Sequence, residues 1–144
     1  MEEGAALDFI KNLTISDLMV KDMISVSADS LVKEAASTML SNKVNSVAVE
    51  KENTIVGLLT DKDFLRAFIS NRELQDLKVS EVMLPSMVTV KPNMSLIDAT
   101  KTMGKNNVTH LFVRDQGEVV GLVSLKDVLN VFYGALVEAM GHEA

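Results

Sequence analysis

Residues 16–65 slide onto 80–129 without a gap, at an offset of 64, and 16 of the 50 superimposed pairs are identical. The identities include Met19/Met83, Met23/Met87, Val26/Val90, Ala35/Ala99, Met39/Met103, Asn42/Asn106, Gly57/Gly121 and Asp63/Asp127. Apolar character is kept at Ile15/Val79, Ile24/Val88 and Val47/Leu111. A chance match in a Val- and Met-rich chain does not hold one register over such a length. Self-similarity at a fixed offset means two copies of one structural unit.

Each copy reads in the same order. A short helical turn (Ile15 to Met19, then Val79 to Met83) leads into a brief strand, Ile24-Ser25-Val26 or Val88-Thr89-Val90. A helix follows: Leu31, Ala35 and Met39 recur at intervals of four, and Leu96, Ala99 and Met103 at three and four, each set marking one buried face. Val47-Ala48-Val49 and Leu111-Phe112-Val113 are strand-type apolar runs, followed by polar turns and the strands 55–59 and 119–123, which complete hairpins. A second helix begins near Thr60 or Ser124. The unit is β-α-β-β-α, so the fold class is α+β (mixed α/β). One copy of about 60 residues buries little surface alone. Two copies packed with pseudo-twofold symmetry solve that. The domain boundaries are set at 10–70 for the first repeat and 75–135 for the second, with a C-terminal helical tail at 136–144.

Composition narrows the function. With 47% apolar and 24% charged residues the chain is globular. A net charge of −6 argues against a nucleic-acid surface, which needs a basic face. The absence of cysteine excludes disulfides and thiolate sites, and agrees with a cytoplasmic location. The acidic start, Met1-Glu2-Glu3-Gly4, is unlike a signal peptide. No apolar run approaches the roughly 18 residues of a membrane span. Two histidines, His110 and His142, have no metal-ligand spacing, so no metal site is expected. No Gly-X-Ser-X-Gly, P-loop or GXGXXG pattern occurs, and no catalytic constellation is found. The methionine pairs of the repeat fit core packing better than soft-metal binding.

One motif ends each hairpin: Gly57-Leu58-Leu59-Thr60-Asp61-Lys62-Asp63, and Gly121-Leu122-Val123-Ser124-Leu125-Lys126-Asp127. The strand ends at the hydroxyl residue and a helix begins, offering unpaired amides to phosphate oxygens. An aspartate at such a place can accept both hydroxyls of a ribose, as acidic residues do in dinucleotide folds. Lys62 and Lys126 supply positive charge. The same Thr/Ser-X-X-Asp spacing also approximates a capping box, in which the side chains satisfy the helix's own amides. Both readings stand, and one residue can do both.

This layout with Gly-apolar-X-Thr/Ser-X-X-Asp closely resembles a tandem CBS (cystathionine-β-synthase-type) pair, or Bateman module, over about residues 10–135. The resemblance implies a non-catalytic sensor of AMP, ADP or ATP, or of S-adenosylmethionine and its relatives, with the ligand in the cleft between the copies. It implies that the aspartates Asp63 and Asp127 hold the ribose, that Thr60 and Ser124 join the sugar or phosphate contacts, and that Lys62 and Lys126 lie near phosphate, with Gly57 and Gly121 part of the motif. It further implies that the base is held by apolar residues and backbone at the start of the first strand. The segment 83–88, with Met87 and Val88, would complete the Asp63 site, and 19–24, with Met23 and Ile24, the Asp127 site. The second strand would add Ser46 and His110. A single histidine opening an apolar strand is more often a packed or edge residue than a phosphate ligand, and the counterpart of His110, Ser46, implies two unequal pockets.

The flanks, about 14 residues at the start and 10–15 at the end, hold no attached enzyme, so the expected target is a separate, unidentified protein. Residues 128–140 are apolar on nearly all sides. They suit a homodimer interface, such as CBS pairs often form, or a fold-back over the chain's own sheet. Alternatives to nucleotide sensing are an S-adenosylmethionine or methylthioadenosine sensor and an interaction scaffold without ligand.

Overall fold

The computed structural model describes residues 3–70, 73–83 and 87–141. The elements are α1 (Glu3–Asn12), a 3-10 turn (Ile15–Asp17), β1 (Ser25–Ser27), α2 (Val32–Asn42), β2 (Ser46–Lys51), β3 (Thr54–Thr60) and α3 (Asp61–Ile69). After a second 3-10 turn (Leu74–Asp76) come α4 (Val79–Val82), β4 (Thr89–Val90), α5 (Leu96–Asn106), β5 (His110–Asp115), β6 (Glu118–Ser124) and α6 (Leu125–Gly141). The mixed α/β class and the β-α-β-β-α order within each copy are as expected.

Each repeat builds one three-stranded sheet, ordered β1-β2-β3 or β4-β5-β6, with a parallel first pair and an antiparallel hairpin. The two hairpins turn through equivalent residue pairs, Glu52-Asn53 and Gln116-Gly117, all with positive φ. That is the two-residue turn whose twist matches antiparallel strands. Register shifts fall at equivalent places too, between Val49 and Glu50 and between Val113 and Arg114. Helices α2 and α5 both end on a left-handed residue, Lys43 and Asn107.

Ala35 and Met39 are buried on the first helix as expected, and only its first core position moves, from Leu31 to Val32. Leu31 is the N-cap, held extended (φ −73°, ψ 146°) and bridged antiparallel to Lys78, so the helix starts later and Val32 takes the core position. Its repeat partner, Leu96, is fully buried in the same role.

The compact units cut across the two sequence repeats. Among the described residues, those from 23 to 87 make up one unit and those from 3 to 22 with 88 to 141 the other. Each sheet therefore packs with the leading turn of the opposite copy. In the first unit Val79 and Val82 join the core of Val32, Ala35, Met39, Val47, Val49 and Leu59. In the second, Ile15 joins Leu96, Ala99, Met103, Leu111, Val113, Val123 and Val128. The backbone is reciprocal: the Val79 amide donates to the Ser30 carbonyl and the Ile15 amide to that of Met94, both at 2.9 Å.

Residues 136–141 are helical and continue α6, which runs unbroken to Gly141; residues 142–144 lie outside the described residues. The first turns of α6 pack Val128, Val131 and Phe132 on the core beneath their own sheet. Further on, Ala135 and Ala139 are covered by Ala6 and Ile10 of α1, a helix with no counterpart in the first repeat's expected layout. Among the described residues no helix is long and apolar enough to cross a membrane.

Candidate functional site

In both copies the second strand and the helix start are locked together. Strand pairing sets Ser46 opposite Thr60 and His110 opposite Ser124, so these four candidates flank the two helix N-termini. The first amide of α3, from Asp61, donates to the Asn45 carbonyl at 3.1 Å, and the first amide of α6, from Leu125, donates to that of Thr109 at 2.8 Å. These bonds pin each helix to its sheet and remove one of the amides a ligand could use. The next amides, of Lys62 and Lys126, have no acceptor beyond their own helices among the described residues. Both lysine side chains are exposed.

Beyond this the copies diverge. Asp63 is only 3% exposed. One of its oxygens, Oδ2, accepts the Thr60 amide at 2.8 Å, which is one half of a capping box. Its Oδ1 is held by the Arg66 guanidinium, one helical turn along. Burial pushes the Asp63 carboxyl above its ordinary value of 3.8, against the Thr60 bond and the Arg66 charge, which both lower it. In the second copy the cap is made by the other partner: the Asp127 amide donates to Ser124 Oγ at 3.1 Å. The Asp127 carboxylate is half-buried and, among the described residues, accepts no hydrogen bond and pairs with no cation. Its chemistry is open to a pair of hydroxyl donors.

The glycines and the first-strand segments take definite places. Gly57 and Gly121 are buried in the strands opposite Val49 and Val113. A side chain at Gly121 would meet Met19, whose Sδ would lie 2.7 Å from the new Cβ. This close approach belongs to the leading segment, where Val20 and Leu122 exchange backbone bonds of 2.9 and 3.0 Å. Residues 19–22 thus share a unit with Asp127, whereas Met23 and Ile24 fall in the unit of Asp63. Conversely, Met83 and Met87 share the unit of Asp63 and Val88 does not. The carbonyls of Ile24 and Val88 are engaged by the amides of Ala48 and Phe112, both at 2.9 Å. His110 Nδ1 lies 3.0 Å from Thr109 Oγ1.

Arg66 is the residue that sequence reading missed. The signal was its i, i+3 spacing from Asp63, which is an ordinary helix pairing and gains meaning only once Asp63 is known to be buried. Among the described residues no group of three or more acidic or histidine side chains could hold a metal ion.

Comparison with known proteins gives the same two-part picture. The CBS domain family model matches residues 15–70 and 79–134. The CBS domain-containing protein YhcV of Bacillus subtilis is 36% identical over 116 residues, 80% of this chain and 82% of its own. The chain spans half or less of the next curated relatives it matches. Among solved structures, the CBS domain of a bacterial CNNM/CorC family Mg2+ transporter in complex with ATP aligns with a TM-score of 0.79 at 22% identity, covering 92% of this chain and 96% of that one. The CBS domain pair of protein MJ0100, in complex with 5'-methylthioadenosine and S-adenosyl-L-methionine, gives 0.75 at 23%, covering 85% and 97%. Duplicated sheets, exchanged leading turns and the twice-matched family model agree: this chain belongs to the CBS domain family, with two copies of the domain.

Proposed function

We propose that the chain is a regulatory module that binds an adenosine nucleotide (AMP, ADP or ATP) and acts on a separate protein without catalysing a reaction. The observation that carries this is the half-buried carboxylate of Asp127 at the start of α6, unpaired among the described residues and beside the amide and side chain of Lys126. A carboxylate so placed can take both hydroxyls of a ribose, while the amide and ammonium face whatever the sugar carries. The ATP held by the transporter's CBS domain supports a ligand of this class. Binding becomes a signal when the ligand prefers one of two arrangements of the protein. The module works in the cytoplasm as a homodimer.

A second reading, a sensor of S-adenosylmethionine or methylthioadenosine, is favoured by the ligands of the MJ0100 pair. Those ligands carry a ribose and no phosphate, so they would use Asp127 and leave Lys126 idle. Calorimetry with AMP, ADP, ATP, S-adenosylmethionine and methylthioadenosine separates the two. Asp127→Asn should abolish binding in either case. Lys126→Ala should weaken a nucleotide about tenfold, roughly 1.4 kcal/mol, and leave the phosphate-free ligands unchanged. No heat from any of the five would leave a scaffold as the role.

A further inference from the structure

The motif is duplicated, yet its two aspartates are in different chemical states. Thr60-X-X-Asp63 and Ser124-X-X-Asp127 share a spacing and an identical lysine, and differ three residues on, where Arg66 is replaced by Asn130. In the first copy both carboxylate oxygens are in use, one by the Thr60 amide and one by Arg66. In the second, the serine hydroxyl caps the helix and the carboxylate is left over. The Asp63 side chain is 4% exposed and that of Arg66 47%, so the pair faces solvent from the arginine side only.

We infer that Arg66 is a latch that withholds Asp63 from a ribose, so that the chain binds one ligand, at Asp127. The inference rests on the ligand class proposed above. A neutral diol reaching Asp63 must displace the Arg66 guanidinium and brings no charge of its own, so a contact between two opposite charges at a buried carboxylate gives way to contacts between a charge and neutral hydroxyls. It would also leave the Thr60 amide competing for the same carboxylate. At Asp127 no bond from any described residue has to be displaced. Asn130 offers no charge, so the second site has no equivalent latch.

The test is the stoichiometry of ATP and of S-adenosylmethionine, titrated calorimetrically into the full chain. The expected wild-type value is one per chain, and Asp127→Asn should remove it. Arg66→Asn, which gives the first copy the residue that the second carries, should add a second equivalent. Arg66→Lys, which keeps a cation beside Asp63, should stay at one. The double variant Arg66→Asn/Asp63→Asn should return from two to one. Thermal melts establish that each variant is folded, and the Asp127→Asn arm decides the matter by itself if Arg66→Asn does not fold. A wild-type stoichiometry of two, or an Arg66→Asn stoichiometry that stays at one, overturns the latch while leaving the sensor reading intact; binding that survives Asp127→Asn overturns the latch together with the placement of the ligand at Asp127. Silence of both probes toward wild type and Arg66→Asn alike overturns both.

Discussion

At the level of single residues, Asp63 shows how one side chain can serve the fold while looking like a ligand group. Its carboxyl is pushed up by burial, and Asp61 adds to the shift, while the Thr60 amide and Arg66 oppose it. A carboxyl that holds its proton more tightly folded than unfolded makes stability fall as pH rises, from the unfolded value near 3.8 through the raised folded one. Below that window both states are protonated and the effect vanishes. Asp63→Asn has no proton to lose. Urea midpoints measured at several pH values should therefore show wild type losing ground to this variant as pH rises across the window. A flat difference, or one that grows in favour of wild type, would mean that the pairing with Arg66 outweighs desolvation. In sequence Asp63 and Asp127 hold the same place in the same motif, and the change from Arg66 to Asn130 three residues on carries no meaning until burial is known. What separates them is burial and the neighbour one turn along, and burial depends on how α3 docks.

The elements were the readable part, because the duplication lets each copy check the other. Both hairpins, both pairs of helices and both leading turns lie where the repeat placed them. The single slip, Leu31 for Val32, comes from a bridge to Lys78 that no local pattern announces. Helix α1 was missed because it stands outside the repeat and its covered face is only Ala6 and Ile10. Gly121 in β6 carries a prediction at this level. A methyl group there would come within 2.9 Å of Met19 Cγ and 3.1 Å of Met19 Cβ, so either the Met19 side chain or the segment bridged to Leu122 must shift. Gly121→Ala should cost about 1–3 kcal/mol by urea denaturation. It should also speed hydrogen exchange at the Val20 amide, whose bond to the Leu122 carbonyl depends on that approach. Unchanged exchange would show that Met19 finds another rotamer at little expense.

For the whole molecule, the exposed side of α6 matters most. Leu129, Tyr133, Leu136 and Met140 follow one another at intervals of four, three and four, and each is half or more exposed. This is the spacing of a seam between paired helices. The adjoining side, at Ala135 and Ala139, is already covered by α1, which leaves the stripe for the homodimer proposed above. Leu136→Glu should shift the mass measured by light scattering at micromolar concentration from two chains to one, with the far-UV spectrum preserved. A variant that stays dimeric places the contact elsewhere.

The exchanged leading turns tie the histories of the two copies together. Ile15 is written in the first repeat, but its burial serves the sheet of the second, and Val79 does the reverse. Neither half can accumulate substitutions as though it were independent, since a change in one copy's opening turn is judged by the other copy's interior. Severing the chain between them would yield two pieces, each missing a plug that only its sibling carries.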